Sequence, residues 1–87
     1  MAMQNSRKPV TYDEAVQTIP PGRYRHFKGN EYEVLAIARH SETEEPLVVY
    51  RALYGDGGVW TRPAAMWNDL VERDGWTVPR FARVETE

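Results

Sequence analysis

Two tight-turn signals, Gly29-Asn30 and Asp56-Gly57, each stand between short runs rich in β-branched and aromatic residues, so the chain is required to double back as antiparallel hairpins. A third break, Pro20-Pro21-Gly22, stops whatever element precedes it. Strand-like runs follow: RYRHFK, EYEVLAIAR, then LVVYRALY after Pro46, VWTR, and finally WTVPRFARV. Pro63 suits a first helical position and opens PAAMWNDLVERDG, where Met66, Trp67, Leu70 and Val71 share one face and Gly75 acts as the stop. Ahead of the first break, TYDEAVQTI has Thr11 as N-cap, Glu14 at capping-box spacing, and Ala15, Val16 and Ile19 on one side.

These elements predict a mainly β fold: a small SH3-like five-stranded barrel or strongly bent antiparallel sheet, with a short N-terminal helix and a short helix before the last strand. An open α+β sheet is the alternative. Residues 1–19 read as a flexible lead-in and short helix, 20–84 as a single globular β domain, and 85–87 as an acidic tail. A chain of 87 residues has room for one core and a shallow site. It has no cysteine, so neither disulfides nor thiolate zinc can hold it, and the core must suffice.

No run approaches the roughly 18 apolar residues of a membrane span, and the N-terminus MAMQNSRKPV lacks the apolar stretch of a signal peptide. A cytoplasmic location without membrane association is therefore expected. The net charge is −2, with Glu85 and Glu87 in the tail, and this balance argues against non-specific DNA binding.

Hairpin registers sharpen the reading. If Gly29-Asn30 is a two-residue loop, Lys28 faces Glu31, Phe27 faces Tyr32 and His26 faces Glu33, which makes HFKGNEYEV a charged rim over an apolar face. If Asp56-Gly57 is the second loop, Leu53 pairs with Trp60, and Arg51 faces Arg62. Two guanidinium groups so placed require an anion, supplied either by a ligand or from within by Asp69, Glu72 or Asp74. A three-residue loop, Asp56-Gly57-Gly58, would instead set Arg62 opposite Ala52. In the second strand both Leu35/Ile37 and Val34/Ala36/Ala38 are apolar, as where a bent strand serves two halves of a small barrel.

Catalytic signatures are weak. His40, Ser41 and Asp56 could be arranged as a hydrolytic triad, but adjacent strand residues point to opposite faces. His40, Glu42 and Glu44 supply only one side of a metal shell and read better as a solvated acidic loop. Trp60, Tyr50 and Tyr54 are of a kind that binds peptides or unstacked bases, although the assumed register sends the tyrosines to the face opposite Trp60. GxGxxG, P-loop, HExxH and paired-cysteine motifs are absent, so no cofactor and no metal is expected.

The linked blocks GRYRHFKGN, ARHSET, VVYRALYGD, WTRP and PRF resemble an uncharacterised bacterial family, domain of unknown function sixteen-fifty-three, over about residues 20–82. The helix TYDEAVQTI lies outside that pattern. The resemblance implies a small bacterial cytoplasmic domain and supplies no catalytic residues.

The expectation is a non-enzymatic interaction module whose partner, a protein, an anionic small molecule or RNA, carries an anionic or planar group. Arg51 and Arg62 would donate charge-assisted hydrogen bonds, Trp60 would stack, and His26 and His40 would assist from strand ends. The alternatives are a small enzyme acting on a phosphorylated or carboxylated metabolite through a histidine base, and an RNA-binding module.

Overall fold

A computed structural model describes residues 10–84; most of the expected lead-in and the acidic tail lie outside the described residues. Helix α1 spans Tyr12–Thr18 and starts as the sequence requires. The Glu14 N–H donates to Thr11 Oγ1 and the Thr11 N–H to Glu14 Oε1, both at 3.1 Å, completing the capping box. Ala15 and Ile19, one turn apart, are fully buried, while Val16 turns outward. The Arg39 guanidinium, 3.9 Å from the ring centre of Tyr12, ties α1 to the sheet.

Seven strands follow: β1 Gly22–His26, β2 Glu31–Arg39, β3 Pro46–Ala52, β4 Val59–Pro63, β5 Leu70–Arg73, β6 Trp76–Pro79 and β7 Phe81–Arg83. Five form an antiparallel sheet in the order β4-β3-β2-β1-β7, and β5 and β6 form a separate hairpin. The outer strands β4 and β7 do not pair, so the sheet is open rather than a closed barrel.

Both predicted registers are wrong by the same step. In the first hairpin the His26 carbonyl accepts from the Gly29 N–H at 2.7 Å, and the His26 N–H donates to the Asn30 carbonyl at 2.8 Å. The loop is therefore Phe27, Lys28 and Gly29, closed by glycine at φ 113°, a three-residue hairpin rather than a two-residue one. Tyr24 faces Tyr32 and Arg25 faces Glu31, which buries Tyr24 and sends Lys28 to the exposed tip.

In the second hairpin, Leu53 donates its N–H to the Glu31 carbonyl of β2 at 3.0 Å and so leaves the β3–β4 ladder. Residues 53–57 become the loop, with Gly55 and Gly57 at positive φ, and the Ala52 N–H closes onto the Gly58 carbonyl. Tyr50 now faces Trp60, Arg51 faces Val59 and Val48 faces Arg62. A shift of three reverses which residues share a face.

The second predicted helix is also corrected. Pro63 opens only a 3₁₀ turn over Ala64–Met66, and Leu70–Arg73 is strand β5. Asp74 and Gly75 both take positive φ, the type I′ combination, and return the chain into β6. The expected last strand divides around Arg80 into β6 and β7.

Strand β2 carries a bulge: Val34 faces Tyr50 and Ala36 faces Val49, which leaves Leu35 as the extra residue. The bulge changes the alternation, so Val34 and Ile37 both reach the core, and this explains why both registers of the strand are apolar. Trp67 lies at the centre, stacked on Phe81 at 3.8 Å between ring centres and edge-on to Tyr24 at 5.6 Å. Ala15, Ile19, Val34, Val48 and Ala64 complete the buried cluster.

Candidate functional site

Arg51 and Arg62 do not meet. They face Val59 and Val48 respectively, and residues 48 and 51 of β3 point to opposite sides of the sheet. Arg51 is exposed beside Glu33, at 3.8 Å. Arg62 turns toward the core, where its Nε donates to the Met66 carbonyl at 3.1 Å and its guanidinium lies 5.7 Å from the Phe81 ring centre. Of the three internal carboxylates expected as candidates, Asp69 is instead buried against Arg80, with Nε–Oδ1 at 2.8 Å and Nη2–Oδ2 at 3.2 Å.

His40 closes the β2–β3 turn, its Nδ1 accepting the N–H groups of Glu42 and Thr43 at 3.1 and 3.2 Å. It adjoins one end of β3 and Asp56 the other, about 20 Å apart for a seven-residue strand, so the triad geometry does not arise. No cluster of three metal-ligating side chains occurs among the described residues.

His26 ends β1 half-buried, with its ring 4.5 Å from Phe27 and 5.0 Å from Phe81. Its Nδ1 accepts the Lys28 N–H at 3.1 Å, which places the ring proton of the neutral form on Nε2. Burial lowers its pKa, and the nearby charges of Arg80, Arg62 and Lys28 lower it further. The unfolded chain thus binds a proton more readily than the folded one. The stability contributed by neutral His26 is complete above about pH 6.5, the unperturbed value, and is lost as pH falls from there through the lower folded-state value. Urea midpoints at pH 7.5 and 5.5 should show this decline, and His26→Gln should flatten it; an unchanged slope in the variant would remove His26 as its source.

His26 borders a concavity of about 680 Å³ formed by β1, β7 and the β5–β6 hairpin. Arg25, Arg73 and Arg83 line it from three different strands over an apolar floor that includes Phe27, Val78 and Pro79, and no carboxylate lines it among the described residues, but the Arg83 guanidinium itself turns to the Tyr24 face of β1, over Gly22. Glu31 is shared by Arg25, at 2.7 Å, and Arg23, at 3.4 Å, which leaves the rim with more positive charge than negative. Arg73 Nη1 donates to the Phe27 carbonyl at 2.8 Å and holds the hairpin against the first turn. None of these three arginines was nominated by the sequence. Arg73 lay in a segment whose apolar spacing read as helix, and no local pattern links the other two to it.

A second concavity, of about 260 Å³, lies between β3, β4 and their loop. Tyr32, Tyr50, Tyr54, Trp60 and Asp56 line it. The register shift that parts the arginines brings Tyr50 opposite Trp60 on one face. The Tyr32 and Tyr54 hydroxyls are hydrogen-bonded at 2.8 Å, and the Tyr32 phenol is pushed up to about 12 by burial and by that bond.

No helix among the described residues is long and apolar enough to cross a membrane. No curated protein matches the chain. A crystal structure of a DUF1653 protein from Bordetella bronchiseptica is similar to it, with 42% identity and a TM-score of 0.71 over 83% of this chain and 99% of that one. The profile described as Protein of unknown function (DUF1653) matches residues 22–83, which take in all seven strands, the second concavity and all of the first except Val84. The chain belongs to the DUF1653 family.

Proposed function

We propose that the protein is a non-enzymatic interaction module that binds a planar anionic ligand in the concavity between β1, β7 and the β5–β6 hairpin. The observation that carries this reading is that Arg25 and Arg73 border one concavity with an apolar floor and no lining carboxylate among the described residues. A flat apolar body would lie on Phe27 and Val78 while the guanidinium groups of Arg25 and Arg73 reach its charged end. Arg51, Arg62, Trp60 and His40 have no part in this site.

An enzyme reading draws on the presence of His26 beside the arginines. Its Nδ1 lone pair is already engaged by the Lys28 N–H, so the neutral ring offers a donor to the cavity and no free base nitrogen, which favours binding over proton abstraction. We also propose an SH3-like relationship and a cytoplasmic location. The meander β1 to β4, the 3₁₀ turn after it and the return of β7 beside β1 support the former, with the barrel opened between β4 and β7.

Calorimetric titration with AMP and with adenosine tests the binding reading. AMP should bind more tightly, and Arg25→Gln should weaken it about tenfold or more, the worth of a charged hydrogen bond of about 1.5 kcal/mol or above. Equal affinities for the two probes, or an unaffected Arg25→Gln variant, would remove the proposal. A steep salt dependence extending to oligonucleotides would instead favour RNA.

A further inference from the structure

The aromatic concavity is a separate feature with the opposite electrostatic preference. The rings of Tyr50 and Tyr54 stand at 79° and 80° to Tyr32, with centres 5.4 and 5.5 Å from it, so the three form walls meeting nearly at right angles. The Tyr32–Tyr54 hydroxyl bond fixes that corner and uses two of the polar groups that could have solvated a ligand. Trp60 adds a platform from β4, and Asp56 brings a carboxylate; no Lys or Arg lines the space among the described residues. Gly58 is part of the construction, because a Cβ there would come within 3.1 Å of the Trp60 Nε1.

We propose that this concavity receives the trimethylated lysine of a partner protein, presented on an extended segment that pairs along β4. Negative π faces together with one carboxylate attract a cation. A methylated ammonium keeps its charge and needs no hydrogen-bond acceptors, whereas a bare ammonium would surrender hydration that these walls do not replace. The space, about 260 Å³, suits one such head group. Trp60 is 61% and Tyr54 49% exposed, so the walls grip the tip of a ligand and leave the remainder to another surface. That surface adjoins them: β4 is an outer strand of the sheet, with its unpaired edge alongside Trp60.

The test follows the Trp60 indole N–H by NMR during titration with an alternating Thr/Val nonapeptide bearing a central trimethyllysine. The controls are the same peptide with unmodified lysine, its neutral tert-butyl isostere, and tetramethylammonium chloride alone. The trimethyllysine peptide is expected to shift the indole signal and to bind about tenfold more tightly than the neutral isostere. Trp60→Ala, which removes the reporter and is therefore followed by calorimetry, should abolish binding of the trimethyllysine peptide without altering the melting temperature, as its side chain is exposed. Gly58→Ala should weaken binding by displacing the indole, and Arg83→Gln should leave it unchanged. Equal binding of the neutral isostere, binding retained by Trp60→Ala, or tetramethylammonium alone binding as tightly as the peptide would overturn the proposal.

Discussion

Trp67→Ala should leave the domain largely unfolded at 37 °C. The indole is 1% exposed, stacks on Phe81 and meets Tyr24 and Tyr50, so its removal opens the centre of the only large buried cluster among the described residues. Such truncations cost about 3–5 kcal/mol. A chain of 87 residues has on the order of 4–13 kcal/mol of stability in total. The melting temperature should fall by about 15–30 °C, measured by far-ultraviolet circular dichroism. Trp67→Phe should be much milder. The indole N–H has no hydrogen-bond partner among the described residues, and replacing it with a carbon edge relieves a buried donor worth about 1–3 kcal/mol while keeping the stack. A drop of less than about 5 °C for the alanine variant would contradict this account of the core.

Arg80→Ala is the second large effect. Asp69 is buried, with its carboxylate held by two guanidinium nitrogens, Nε and Nη2, and the Arg80 backbone N–H also donates to the Asp69 carbonyl at 3.0 Å. Removal of the arginine side chain leaves a buried carboxylate without its counter-charge, at a cost of about 3–5 kcal/mol. Asp69→Leu combined with Arg80→Met should recover most of that loss, because the penalty belongs to the unpaired charge rather than to the space. Chemical denaturation of the two single variants and the double variant measures the coupling. Additive effects would mean that the pair contributes nothing beyond its separate side chains.

What the sequence made legible was local. Thr11 and Glu14 fix the start of α1 within four residues, and nothing distant competes with them. The turns were located but not their registers, since Gly29 can close a two-residue or a three-residue loop with equal ease. The outcome in the second hairpin depends on the Leu53 N–H finding the Glu31 carbonyl on another strand, a bond invisible to any window along the chain. Asp74-Gly75 was misread because Met66, Trp67, Leu70 and Val71 have helical spacing; only the fold reveals that Trp67 is buried while Leu70 is exposed. Parity then decided the sites. A slip of three residues separated Arg51 from Arg62 and united Tyr50 with Trp60, so the nominated pair dissolved while the aromatic group assembled. The basic concavity depends on three strands meeting in space, for which one sequence carries no local sign.

The family profile begins at Gly22, yet Ala15 and Ile19 of α1 lie wholly inside the same core as Trp67 and Phe81. Homology and packing therefore have different borders in this chain: the stretch that the family profile matches is smaller than the stretch packed into one core. A fragment cut at the profile boundary would expose the seat of Ile19 to water.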